Sequence, residues 1–243
     1  MHREQDDQPI ALEAYEALAD RYAARIDSKA ENAFVETPAT LSLLPEVEGK
    51  RVLDSGCGPG AKSEWLLDQG AEVVALDCSP KMIEHARRRV GTRAEIRLVD
   101  LRKPLDFLDD DSFDIVLCAL VLDYLRDWVP LFTEFHRVLH ESGLLVFSVG
   151  HPYTEFKYHG SDDYFRTELV EMFWRGFGGE PVRMPSYRRP LCAMTSAVEE
   201  TGFAIQRIVE PQPLEECKSV DPETYEQLLK RPSFLCVSAL RKP

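Results

Sequence analysis

The stretch VLDSGCGPG, residues 52–60, sets an acid, Asp54, two places before three alternating glycines, Gly56, Gly58 and Gly60. Glycines at the turn from a strand into a helix let the backbone approach a ligand closely, an arrangement that often serves phosphate. A carboxylate beside such a loop meets a pyrophosphate with like charge, whereas it complements an ammonium group. Two more acids follow, Asp77 closing EVVALD and Asp100 closing EIRLVD. Asp100, together with the backbone N–H of Leu101, has the chemistry to read an adenine amino group and ring nitrogen. Taken singly, Asp77 and Asp100 also read as turn caps.

Two ligand outlines compete. Gly56, Gly58 and Ala61 satisfy a loose G-x-G-x-x-G/A pattern, with Asp77 at a ribose-binding distance downstream, so a nicotinamide dinucleotide fits the glycines alone. Asp54 favours S-adenosylmethionine, which carries an ammonium and a sulfonium and no phosphate.

The residues around these acids predict the elements that hold them. Residues 11–27 carry apolar side chains at helical spacing, and residues 31–50 then lead into the strand RVLDS. A helix in KSEWLLDQG is stopped by Gly70. The strand EVVALD precedes a helix with Ser79 as N-cap and Pro80 in its first turn. EIRLVD (95–100), FDIVLCAL (113–120) and GLLVFSVG (143–150) read as further strands, with a helix in DWVPLFTEFHRVLH. Short, nearly continuous apolar runs suit a parallel sheet covered on both faces, with ligands beyond the carboxyl ends of the strands. Residues 151–190 are aromatic, glycine-rich and irregular, which suits a lid better than another βα unit. A helix in LCAMTSAVEETG, a strand FAIQRIVE, a Pro-rich connection and a strand SFLCVSALRK complete the chain.

At 243 residues the chain is long enough for one domain with a sizeable core. That domain divides into an N-terminal helical cover (1–45), a cofactor-binding core (46–150), a lid (151–190) and a C-terminal helix with strands (191–243). The formal charge of -13 repels polyanions and disfavours nucleic acid as a partner. It fits either a salt-adapted host or an ordinary acidic protein. The six cysteines, Cys57, Cys78, Cys118, Cys192, Cys217 and Cys236, form no C-x-x-C pair, so neither a metal site nor a disulfide scaffold is expected. The start MHREQDDQP has no leader pattern and no apolar run reaches about 18 residues, which leads to the expectation of a cytoplasmic protein without a membrane partner.

VLDSGCGPG, the acid before CSPKMIEHAR, the acid in IRLVD, FDIVLCALVLDYLRDW and FHRVLHESGLLVFSV together resemble the class I S-adenosylmethionine-dependent methyltransferases. Within them the likeness is to the small-molecule branch that includes the ubiquinone and menaquinone type, and it runs over roughly residues 10 to 150. The segments after residue 150 look like an uncharacterised subgroup. The resemblance implies an α/β, Rossmann-like, doubly wound sheet of seven strands, mostly parallel with an antiparallel last strand, an N-terminal helix and a lid insertion after strand five. It implies S-adenosyl-L-methionine as cofactor and a small-molecule methyl acceptor, on a monomer or homodimer. By position, Asp54, Gly56, Cys57, Gly58 and Gly60 would border the methionine end. Asp77 would hold the ribose, Cys78 and Met82 wall the adenine, and Asp100 with Leu101 read its edge. Cys118 and Ala119 would line the methionine, Leu120 to Asp123 face the transfer site, and Tyr22 close over the cofactor.

Methyl transfer is an in-line displacement that proximity can drive, and a base is needed only where the acceptor carries a proton. His151, at the end of the fifth strand and of the residue type suited to acid–base work near neutral pH, leads the candidates, followed by Tyr153, Asp123, Tyr124 and Tyr187. His151 also reads as a turn cap before Pro152. Asp123 and Tyr124 stand where many relatives carry histidines, and a role in shaping the pocket is their alternative. Arg188 and Arg189 fit an acidic substrate group or plain surface charge, and the lid aromatics fit an acceptor wall or packing. A cofactor-binding sensor without catalysis and a nicotinamide oxidoreductase are the rival functions.

Overall fold

The computed structural model describes residues 8–243; residues 1–7, part of the start read above as lacking a leader, lie outside them. Helix α1 (Leu12–Arg25) is followed by a π-helical turn (Asn32–Glu36) running into α2 (Thr37–Leu41). The alternating core is β1 (Arg51–Ser55), α3 (Ala61–Asp68), β2 (Glu72–Asp77), α4 (Pro80–Val90), β3 (Glu95–Leu98) and β4 (Phe113–Ala119). A 3-10 turn (Leu122–Tyr124), α5 (Val129–Val138) and β5 (Leu139–Gly150) follow. Seven strands form one sheet once β8 (Phe203–Val209) and β9 (Phe234–Arg241) are added, in the order β3-β2-β1-β4-β5-β9-β8. Pairings from β3 to β5 are parallel, and β9 runs antiparallel to both neighbours. This is the expected Rossmann-like sheet with its reversed last strand.

The local reasons are those visible in the residues. Ser79 caps α4 by accepting from the Met82 N–H at 3.1 Å, Pro80 fills the first turn, and Arg87, Arg88 and Arg89 occupy the last turn, where positive charge suits the helix dipole. The faces of the sheet are covered by apolar side chains: Leu53, Val116, Phe132, Phe135 and Phe147 on one side, Val52, Leu66, Ala75 and Leu117 on the other. Strand alternation sends neighbouring residues of β1 and β4 to opposite faces, which is why both strands read as continuous apolar runs.

Residues 151–190 are more regular than their composition suggests. Helix α6 (Pro152–His159) is followed by a two-stranded antiparallel sheet of β6 (Glu168–Trp174) and β7 (Val182–Arg188). Alternating exposure along β6 explains the difference: two of its three outer residues, Leu169 and Phe173, are apolar yet exposed and the inner Glu168 is polar, so no clean polar alternation marks the strand. After β7 comes α7 (Leu191–Glu200), and the Pro-rich connection between β8 and β9 contains α8 (Glu216–Val220) and α9 (Pro222–Leu228).

The N-terminal helix is locked to the core by polar contacts. The Ser79 hydroxyl donates to Glu16, Lys81 Nζ donates to the Glu16 carbonyl at 2.7 Å, His85 meets Asp20 at 2.9 Å, and Arg89 pairs with Asp27. These hold α1 across α4 and bring Tyr15 and Tyr22 over the carboxyl ends of β1 and β2.

Candidate functional site

Four N–H groups of the glycine loop are already occupied. Gly56 and Cys57 donate to the Leu76 carbonyl at 2.7 and 2.9 Å, Gly58 donates to Asp77 Oδ2 at 2.9 Å, and Gly60 donates to the Cys57 carbonyl at 3.0 Å. A phosphate cradle needs such donors to point at the ligand. Here they fold the loop onto β2 instead, so the glycines serve close approach rather than anion binding. Gly56 adopts φ +87°, and a Cβ there would lie 2.1 Å from Val121 Cγ2.

A cavity opens over this loop, lined by Asp54, Gly56, Cys57 and Gly58, by Asp77, Cys78 and Met82, by Asp100 and Leu101, and by Ala119 and Tyr22. Gly60 and Cys118 are not on its wall. Gly60 turns the chain into α3, where a Cβ would lie 3.1 Å from Ala86 Cα, and Cys118 is fully buried in the core.

Asp54 is 1 % exposed and accepts a hydrogen bond from Ser63 Oγ at 2.5 Å. Burial pushes its carboxyl up to about 6, against the opposing pull of Ser63 and Lys62. Burial likewise raises Asp77, whose oxygens accept from the N–H groups of Gly58 and Ser79 at 2.9 and 2.8 Å. Asp100 is partly buried, which opposes ionisation, yet Arg102 holds it below the ordinary carboxylate range with a 2.8 Å ion pair and a backbone N–H bond at 3.0 Å.

Lys62 escaped the reading of the sequence. It lines the same cavity, and its Nζ lies 2.8 Å from Oε2 of Glu36, a carboxylate with no solvent exposure. Glu36 also accepts from Thr40 at 2.9 Å and Ser148 at 2.6 Å, so that, despite burial, its carboxyl stays below the ordinary range. In sequence Glu36 is one acid in the segment connecting the first helix to β1; the π-helical turn brings it within 2.8 Å of Lys62.

A second, roomier cavity, about 360 Å³ against about 120 Å³, lies under the β6–β7 sheet. Tyr15, Tyr22, Leu120 and Tyr124 line both and therefore form the neck between them. Across that neck the Tyr15 and Tyr124 hydroxyls are 2.7 Å apart, and burial raises both phenols above their ordinary value. Asp123 lines the second cavity with Oδ2 accepting the Gly150 N–H at 2.9 Å, and burial pushes its carboxyl up to about 7. Tyr187 lines it as well.

His151 and Tyr153 line neither cavity. His151 is 6 % exposed, with Nε2 held 2.7 Å from Glu210 and Nδ1 accepting the Tyr153 N–H as the N-cap of α6, while Tyr153 turns outward and is exposed. The turn-capping alternative is the one the geometry bears. Arg188 and Arg189 are neither surface charge nor cavity walls. Arg188 is 2 % exposed, paired with Glu168 at 2.8 Å and donating to the carbonyls of Asp163, Tyr164 and Arg166. Arg189 lies over Trp128, with its guanidinium 4.3 Å from the ring centroid, and donates to the Leu125 carbonyl. Burial lowers it to about 10.

Residues 53–147 match the model of a methyltransferase domain. A solved S-adenosylmethionine-dependent methyltransferase from Mesorhizobium loti is 32 % identical, with a TM-score of 0.70 over 89 % of this chain and 100 % of that one. This chain belongs to the S-adenosylmethionine-dependent methyltransferases. Among curated relatives, an uncharacterised protein of Haemophilus influenzae is 33 % identical over 51 % of both chains. A malonyl-[acyl-carrier protein] O-methyltransferase of Enterobacter lignolyticus is 31 % identical over 58 % of this chain and 55 % of that one. The match thus spans about half the length of these two relatives.

The family's cofactor, S-adenosylmethionine, fits the first cavity of this methyltransferase on its own geometry. An α-amino acid end needs one anion and one cation, and an acid, Asp54, and a lysine, Lys62, both line the cavity beside a loop whose amides offer nothing to phosphate. The described residues contain no group of His, Cys, Asp and Glu suited to a metal ion, and no helix long and apolar enough to cross a membrane.

Proposed function

We propose that this chain transfers a methyl group from S-adenosylmethionine to a small molecule seated in the second cavity. The observation that carries this reading is the shared neck: Tyr15, Tyr22, Leu120 and Tyr124 line both cavities, so the two ligands would meet there and nowhere else along the wall. Asp54 and Lys62 would hold the amino acid end, Asp77 the ribose hydroxyls, and Asp100 with Leu101 the adenine edge. When bound, the cofactor supplies an electrophilic methyl group on a sulfonium. The chain's part is then to align the acceptor with that methyl and keep water out. Tyr15 and Tyr124, tied hydroxyl to hydroxyl, would set the width of the passage.

The malonyl-[acyl-carrier protein] acceptor of some relatives does not carry over, because the match covers about half their length. All six cysteines are free, which suits the reducing cytoplasm.

Calorimetric binding of S-adenosylhomocysteine, followed by its release from S-adenosylmethionine in the presence of small-molecule acceptors, tests the proposal. Binding with turnover of at least one acceptor is expected. Binding of NAD in place of S-adenosylmethionine would defeat the reading, and tight binding without turnover across amines, alcohols, phenols and acids would replace it with that of a sensor.

A further inference from the structure

The second cavity has a polar end and an aromatic side, and the two differ in what they attract. At the polar end two carboxyls converge on Gly150. Asp123 Oδ2 accepts its N–H at 2.9 Å, and Glu155 Oε1 lies 3.1 Å from where a Cβ on that glycine would sit. Oδ1 of Asp123 accepts no hydrogen bond among the described residues, and Glu155 Oε1 likewise has no protein donor there. Asn32 adds an independent sign of a ligand: the residue is 6 % exposed, lines this cavity, and its side-chain amide makes no hydrogen bond to protein among the described residues. A buried polar side chain without a protein partner awaits one from a ligand or water. It stands at the head of the π-helical turn, a distortion frequent at functional sites.

The side wall is a run of rings. Tyr22 and Phe177 lie 4.7 Å apart between centroids, Phe177 and Trp174 5.7 Å, and Trp174 and Tyr15 6.0 Å. Ring faces attract cations, and Lys29 Nζ already lies 5.5 Å from the Phe177 centroid. Of the cations lining the wall, Lys29 is paired with Glu31 at 2.6 Å and Arg175 is exposed to solvent; from outside it, His159 Nε2 lies 3.3 Å from Glu155 Oε2 and the Arg189 guanidinium acts on Asp123.

Resting on the methyltransferase reading above, we infer that the acceptor is an amine on a flat apolar body, bound as its ammonium between Asp123 and Glu155 and against the Trp174–Phe177 wall. Two neighbouring carboxylates repel, and a cation between them relieves that repulsion, which a neutral hydroxyl does not; a carboxylate acceptor would add to it. For transfer the ammonium gives one proton to the free oxygen of Asp123. The nitrogen lone pair then forms the N–C bond while the C–S bond breaks, its electron pair going to sulfur. Asp123 is suited to that proton because the groups acting on it are mostly neutral or acidic: the Gly150 N–H, the Tyr124 phenol and Glu155, with the Arg189 guanidinium as the opposing charge.

The test is binding of three matched probes, 2-phenylethylamine, 2-phenylethanol and 3-phenylpropanoate, to the protein saturated with S-adenosylhomocysteine, read by calorimetry, with methylated product from S-adenosylmethionine read by mass spectrometry. The amine is expected to bind at least about tenfold more tightly than the other two, a margin of one charge-assisted contact, and to be the probe that is methylated. Asp123→Asn should lower amine affinity about tenfold while S-adenosylhomocysteine still binds; if that variant does not fold, Glu155→Gln carries the same expectation. Equal or tighter binding of the alcohol or the acid, no amine binding, or an amine preference unchanged in the variants overturns the amine assignment. Failure of S-adenosylhomocysteine itself to bind overturns the function on which it rests.

Discussion

Asp54 illustrates how one side chain can be read from sequence and then altered by its surroundings. Its carboxylate was legible beside the glycines because like charge excludes a phosphate there. Its neighbours were not: Ser63 from α3, and Lys62 held by Glu36 from a segment that shows no motif. Burial pushes the Asp54 carboxyl up to about 6. Only the ionised form attracts an ammonium, so cofactor affinity should be full above this value and fall as pH drops through it. Calorimetric titration with S-adenosylhomocysteine from about pH 8 to about pH 5 should show that decline, and Asp54→Asn should lose about 10- to 100-fold in affinity at neutral pH and flatten the profile, as expected for one charge-assisted contact. An unchanged profile in the variant would assign the titration elsewhere. His151 shows the opposite case. Its residue type and its place at a strand end pointed to a base, but which way a ring faces at a strand end depends on the chain that follows it. There it caps α6 and meets Glu210.

Among the elements, the alternating strands and helices of residues 51–150 were the most readable, because capping residues, glycine stops and unbroken apolar runs all agree there. The lid was the least readable. Its hairpin presents apolar residues to solvent, as at Leu169 and Phe173, and to the second cavity, as at Met172, Trp174 and Met184, so no clean polar alternation separates strand from loop. The helix that opens the lid depends on the His151 cap. His151→Ala removes the acceptor for the Tyr153 N–H and should cost about 1 kcal/mol of stability, within the usual range for a lost N-cap, while S-adenosylhomocysteine affinity stays as in the parent. Thermal unfolding and calorimetry on the same sample check both halves, and a large loss of affinity without loss of stability would return His151 to the site.

For the whole molecule, charge is the dominant global property. With a net charge of -13, the folded chain repels itself, and salt screens that repulsion over about 10 Å at about 0.1 M. The melting temperature should therefore rise by a few degrees between about 0.05 and about 0.5 M sodium chloride in differential scanning fluorimetry, roughly 1 kcal/mol of stabilisation for a domain of this size. A fall would mean that surface ion pairs such as Arg93–Asp68 and Arg137–Asp110 outweigh the net repulsion. The order of elements over residues 51–150, the acids at three strand ends and the kind of ligand they suit were determined by the sequence itself, since strand pattern, capping and charge sign are local properties. Which side chains gather around that ligand's neighbour was decided only by tertiary structure. Lys62, Asn32, Tyr15 and Glu155 come from separate segments of the chain, and only the packing of α3, the π-helical turn, α1 and α6 around the sheet brings them to one pair of cavities, with Glu36 behind Lys62. Burial and proximity are relations between distant residues, and a one-dimensional pattern does not contain them.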